Sequence, residues 1–377
     1  MIDLTPWLGD RREMWPRLRQ AIQTTIAACL SYVVADAAGM PQGFWAVMTA
    51  ILVTQANVGA SLGLAVDRLL GSLLGALVGG GVALALADVQ ELKFAGLAAT
   101  VLVLGFFSAR RPSLRIACVT AAIVILGDPR LGPPISSAEN RMIEVLIGTV
   151  VAILTTLLVF PSRAGPGFAA HVTRTFAPLF TVLHETLAAA LGQPLDEAAM
   201  HTAGTRIRAA FAAGDGLARE TRLEVAGFLA EHPDPEAVLR TLRRLWHTEI
   251  MLWRSVSQPL PTMAVTTLRP AIETLSAAVD EVSAHLTEPG VSYAAPDLSA
   301  VEGALDVIER QMEDMRARGA LRELSMDDVI RLMAFDFALG QLRHNLRDLA
   351  ERSQELASFA GSTFPLIHRV RAALGGK

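Results

Sequence analysis

The chain has 377 residues, 52% of them hydrophobic and 19% charged, with a formal net charge of −4. That balance is more apolar than an ordinary soluble chain, lacks the basic surplus of a nucleic-acid-binding protein, and leaves room for about two domains. Only Cys29 and Cys118 are present, which excludes a disulfide framework, and no histidine or cysteine spacing suits zinc.

In chain order, residues 1–17 form an interfacial lead-in, with Trp7, Trp15 and Pro16 at headgroup depth. No cleavable signal is predicted: the apolar run that starts near Leu18 is too long for a signal core and has no small-residue cleavage site behind it. Between Gln20 and Val66 the only formal charge is Asp36, and four further stretches (69–87, 94–109, 116–127 and 145–162) carry none. Such runs suit a hydrocarbon core about 30 Å thick, which takes roughly 20 helical residues per span. The runs predict a six-span transmembrane domain over 18–162, with spans at 18–38, 43–57, 67–87, 92–109, 113–127 and 141–161.

With the N-terminus placed in the cytoplasm, the inner loops hold Arg11, Arg12, Arg17, Arg19, Arg68, Arg110, Arg111, Arg115 and Arg163, against Lys93, Arg130 and Arg141 outside. The positive-inside rule then puts both termini in the cytoplasm of a bacterial inner membrane. Prolines and glycines between Phe160 and Gly167 mark the end of this domain. Residues 166–377 carry charges on nearly every helical turn and read as a cytoplasmic all-helical domain of five or six helices. In it Leu239, Leu242, Leu245, Trp246, Ile250 and Trp253 form a stripe suited to a bundle core or a subunit interface.

The two halves of the membrane domain share a register. Pro41 precedes Thr49-Ala50 as Pro112 precedes Thr120-Ala121, and Arg68 precedes Gly75 as Arg141 precedes Gly148. Because each unit has three spans, the second copy must lie upside down, so the fold class expected is all-α with an inverted 3+3 repeat, a design that recurs in secondary transporters. The second span of each half is short and flanked by breakers, Pro41 with Asn57-Val-Gly59 and Pro112 with Asp128-Pro129. Short helices at equivalent positions point to a transport site.

Several residues could carry that chemistry. Arg68, beside Asp67 at the start of the third span, could clamp a carboxylate in bidentate fashion, or it could be a snorkelling anchor. Arg141 and Glu144, one turn apart, could satisfy each other, or Glu144 could couple transport to protons, with Asp67 and Asp36 as further proton candidates. Asp36 also reads as a solvated helix end. Trp45, Thr49, Gln55, Asn57, Thr120 and Arg115 complete the translocation candidates, although the threonine hydroxyls could equally bond back to their own helices. Glycines 71, 75, 79, 80 and 81 have the small-xxx-small spacing of close helix packing, with a gating hinge as the other use. The sequence has no P-loop, nucleophile elbow or G-x-G-x-x-G, so neither an enzyme nor a cofactor is expected.

These elements resemble the fusaric acid resistance family, which overlaps the bacterial aromatic acid exporters and is related to the plant aluminium-activated malate transporters. The resemblance rests on Trp45, the segment from Val53-Thr-Gln55 to Gly59-Ala-Ser61, Arg68-x-x-Gly71-Ser72-x-x-Gly75, Arg110-Arg-Pro112, and Arg141-x-x-Glu144-x-x-x-Gly148 running to Phe160-Pro161. It implies six-span units that export or conduct organic anions, proton-driven in the exporters. Ala56 and Asn57 stand where the family often has proline, and Ser72 where it often has threonine. Many members carry two membrane units per chain, whereas this chain has one, so a homodimer is the expected assembly, with a periplasmic efflux partner a further expectation. The leading expectation is an inner-membrane exporter of aromatic or other organic carboxylates; a passive organic-anion channel and a membrane-anchored helical scaffold are the alternatives.

Overall fold

The structure is a computed structural model that describes residues 11–87, 89–111, 113–127, 133–226, 233–287 and 293–361. Twelve α-helices and two short 3-10 turns account for the secondary structure of these residues, which contain no strand. The chain divides into two compact units, Met1–Ala164 and Gly165–Lys377.

The first unit contains α1 (Arg11–Ala37), α2 (Phe44–Val53), α3 (Val58–Ala85), α4 (Lys93–Ser108), α5 (Ser113–Ile125) and α6 (Pro134–Leu158). Pro112 and the Asp128-Pro129 breaker lie outside the described residues, as do the first ten residues of the lead-in. Residues 11–17 form the opening turns of α1, where Trp15 packs edge-on against Phe160 with ring centroids 5.8 Å apart.

α2 is short for visible reasons. It follows a turn at Gly39, whose φ of +67° suits a residue without Cβ, and it stops where Thr54 turns extended. The break to α3 is satisfied locally: the Thr54 hydroxyl donates to Ala50 O at 2.8 Å and the Gln55 N–H donates to Ser61 Oγ at 2.9 Å. Asn57 then caps α3, its Oδ1 accepting the Ala60 N–H at 2.7 Å.

That cap starts α3 well before residue 67, and Pro134, in the first turn where a missing N–H costs nothing, starts α6 before residue 141. Arg68 and Arg141 therefore do not open their helices as the sequence reading expected. Both lie within them and are buried, at 7% and 2% exposed. Reading charge as a marker of a helix end fails here because both side chains turn into helix–helix contacts.

Two contacts organise this unit. α3 packs on α5 and α6, while α2 packs on α6 and α1 and α4 packs on α5. Where α3 crosses α5, a Cβ on Gly75 would stand 2.4 Å from Ala117 O and 2.7 Å from Thr120 Cβ. Where α6 crosses α2, a Cβ on Gly148 would stand 2.3 Å from Ala46 O and 2.8 Å from Thr49 Cβ. Each glycine lets two backbones touch, and neither position admits a side chain.

Outward faces of the same helices are apolar and bare: Phe94, Leu102 and Phe106 on α4 are each at least 75% exposed, and Leu77 on α3 is 66% exposed. α3 and the Ile135–Leu158 stretch of α6 are long and apolar enough to cross a membrane; α2, α4 and α5 are shorter apolar helices.

The second unit contains α7 (Ala164–Ala190), α8 (Glu197–Ala226), α9 (Pro235–Ser255), α10 (Thr262–Thr287), α11 (Ser299–Ala317) and α12 (Met326–Ala360). α9 packs on α8 and α12, and α11 packs on α10 and α12. Leu239, Leu242, Leu245 and Trp246 of the predicted stripe enter one core with Phe168, Phe176, Ile207, Leu268 and Phe335, so the stripe is bundle core. Asp234 caps α9 ahead of Pro235, and Ser325 caps α12 by accepting the Asp328 N–H at 3.1 Å.

Candidate functional site

The first unit holds a cavity of about 410 Å³ between the start of α2, the last turns of α5 and the first turns of α6. Its polar lining is Gln42, Ser137, Asn140, Arg141 and Glu144; its apolar lining includes Pro41, Phe44, Trp45 and Ile123. A chamber of this size, mostly apolar with a few convergent polar groups, suits a small organic molecule.

Arg141 dominates the chamber. Its guanidinium carbon lies 3.6 Å from the centroid of the Trp45 ring, and none of its three nitrogens has a hydrogen-bond partner among the described residues. Glu144, one turn further along α6, does not take those donors. Its Oε1 accepts the backbone N–H of Gln42 at 3.1 Å, and the Gln42 side-chain oxygen in turn accepts the Trp45 indole N–H at 3.1 Å. Arg141 is close enough to Glu144 and to Arg68 for both charges to act on it. A desolvated arginine with its fork unspent can offer two N–H groups at once to a carboxylate.

Beside the chamber lies a second polar cluster between the crossing helices. Arg68 Nη2 donates to Thr49 Oγ1 at 3.4 Å and its Nε has no partner among the described residues. Thr120 Oγ1 lies 3.5 Å from Ser72 Oγ. Thr49 and Thr120 are fully buried, each against the glycine of the facing helix.

The predicted residues thus fall into groups. Trp45 and Glu144 line the chamber, and Arg68 with Thr49, and Thr120 with Ser72, form the buried contacts between helices. Gln55 and Asn57 belong to the α2–α3 break, where Asn57 serves as a cap and the Gln55 side chain donates to Leu52 O at 3.1 Å. Arg115 and Asp36 are exposed, and Asp67 is half-buried on α3. Arg141 is absent from the translocation candidates because its i, i+3 spacing pairs it with Glu144 in the sequence. Its register match to Arg68 was the signal that pointed to it. Gln42 carried no such signal, since it acts through its backbone N–H and the end of a flexible amide.

Residues 28–155, from within α1 to the last turn of α6, match the family model described as fusaric acid resistance protein-like. Over those residues the chain is similar to a fusaric acid resistance-like domain. The match spans about a third of the chain and contains both crossings and the whole chamber. The match suggests a membrane efflux or transport-related protein.

Proposed function

We propose that the fusaric acid resistance-like domain is a six-helix membrane carrier that exports aromatic or other organic carboxylate anions across the inner membrane, coupled to protons. The observation that carries this reading is the Arg141 guanidinium, buried at 2% exposure beside Trp45 in a chamber of about 410 Å³ with no hydrogen-bond partner among the described residues. The face of Trp45 offers an apolar, electron-rich wall for the substrate body, and Arg141 offers the charge. Arg68 supplies a second cation at the neighbouring crossing, and Glu144 is the proton-coupling carboxylate.

The membrane setting is supported by the apolar outward faces of α3 and α4, which in water would be a large exposed patch. An inverted 3+3 repeat is supported by the reciprocal crossings: α3 meets α5 through Gly75 as α6 meets α2 through Gly148, with Ala117 and Thr120 standing where Ala46 and Thr49 stand. Arg68 lies about 15 Å along α3 from its start and Arg141 about 10 Å along α6. In an inverted pair these starts lie on opposite sides, so the two cations approach the midplane from either leaflet. With Arg68 and Arg141 removed from the loop tally, the arginine bias still favours cytoplasmic termini and so supports a cytoplasmic helical bundle. The proposed assembly is a homodimer, with a periplasmic partner to carry substrate onward.

The test is transport by the full chain in proteoliposomes. An imposed proton gradient is expected to drive labelled benzoate across the bilayer, and Arg141→Ala is expected to lower the rate about tenfold or more while the protein still inserts and melts normally. A current that follows the benzoate gradient without proton dependence would replace the carrier by a passive organic-anion channel, and unchanged flux in Arg141→Ala would remove the receptor.

A further inference from the structure

The contacts around Glu144 describe a fastening rather than an ion pair. α2 is a ten-residue helix whose N-cap, Gly43, makes no side-chain capping bond. The negative charge at that positive helix end comes from another helix: Glu144 Oε1 takes the Gln42 N–H at 3.1 Å. The fastened turn holds Trp45 through the Gln42 side chain at 3.1 Å, and Trp45 covers the Arg141 guanidinium at 3.6 Å. The carboxylate is thus linked through Gln42 and Trp45 to the guanidinium without forming an ion pair with it.

We infer that Glu144 is a proton-operated latch: as a carboxylate it pins the start of α2 to α6 and keeps Trp45 over Arg141, and once protonated it releases that turn and uncovers the guanidinium to an anion. A neutral carboxyl loses its charge-assisted bond to the Gln42 N–H and its attraction to the helix end. The proton comes from the chamber, stays on the carboxyl oxygen while the latch is open, and leaves when the turn closes. Glu144 is thus a positioning residue, acting through Gln42 and Trp45. On α6 the carboxylate has Arg141 near it, while Glu139 is exposed. Of the other cations and acids, Arg68 of α3 acts on Arg141, Asp67 of α3 is half-buried, and Asp36 of α1 and Arg115 of α5 are exposed. The described residues that line the chamber from α2 and α5 are uncharged.

This latch rests on the carrier reading only for its purpose, and it is testable without transport. Hydrogen exchange of the full chain in nanodiscs, corrected for intrinsic rates, reports the amides of Gln42, Trp45 and Ala46, all of which are bonded in the closed turn. From about pH 8 to about pH 5 their protection is expected to fall about tenfold or more, while α3 and the rest of α6 keep theirs. Glu144→Gln is expected to leave the turn poorly protected at every pH and to abolish the pH dependence. Wild-type protection of the turn in Glu144→Gln would overturn the latch. Should that variant lose protection throughout α6, the wild-type profile decides, and protection of the turn that does not change with pH overturns it. Proton-driven benzoate flux with a pH-independent turn would leave the carrier standing and the latch refuted. A pH-dependent turn without flux would do the reverse.

Discussion

The two crossings of the first unit share a shape and differ in chemistry. At each, a glycine meets the backbone of an alanine and the side chain of a threonine one turn on, Gly75 against Ala117 and Thr120, Gly148 against Ala46 and Thr49. In the same register, however, Trp45 is answered by Ile116, Gln42 by Ser113 and Glu144 by Gly71. Only the α2–α6 side has an indole, a carboxylate and the chamber between them. Packing constrains both copies through contacts that tolerate no substitution, whereas a single site needs only one copy to keep its polar residues.

The largest effect that would break this comparison is at the glycines. A methyl at position 148 or 75 would stand 2.3 or 2.4 Å from a backbone carbonyl oxygen, so Gly148→Ala and Gly75→Ala are each expected to destabilise by about 3 kcal/mol or more. Gly81→Ala, with open space around it, should change stability by less than about 1 kcal/mol. Melting curves in detergent check all three, and a harmless Gly75→Ala would end the equivalence of the crossings.

Next in size is the split between the two arginines. Arg68→Ala is expected to cripple benzoate export while insertion and melting hold, and Arg141→Lys is expected to keep part of the flux, since an ammonium supplies charge but not a planar fork. Side-by-side rates in proteoliposomes measure the difference. Equal loss in Arg141→Lys and Arg141→Ala would show that two-point binding is the requirement.

The second unit gives a contrast in how a buried acid is used. Glu249 on α9 is fully buried and neither of its oxygens has a partner among the described residues, and burial raises its pKa well above 4.5. The sign follows from the proton count. Below about pH 4.5 folded and unfolded chains both hold the proton and there is no penalty; above it only the unfolded state ionises, so stability falls until the raised folded pKa is passed. Glu249→Leu should remove that fall and stabilise the bundle by about 1–3 kcal/mol, read from urea titrations over pH. A smaller effect, about 1 kcal/mol, is expected for Ser325→Ala at the cap of α12.

Much of this architecture was legible in the chain. Long uncharged runs, flanking prolines and the paired Arg and Gly positions mark out the helices, because apolar length and helix breakers are local properties. Helix starts were less so: Asn57 and Pro134 open α3 and α6 before the charges that looked like ends. The chamber was legible only in pieces. Trp45 and Glu144 stood out by type, but their connection runs through the Gln42 backbone N–H, and a backbone donor has no signature in side-chain identity. Arg141 was hidden by proximity in sequence to Glu144, although three dimensions send the two side chains to different partners.

Everything in the carrier account depends on the two helix triplets facing opposite ways in one bilayer. With Cys29 and Cys118 replaced by serine, single cysteines at Ala38 and Arg110 occupy the first turn of each half, both exposed. In intact cells an impermeant maleimide should label Ala38→Cys and reach Arg110→Cys only after the membrane is opened. Labelling of both from the same side would contradict the account.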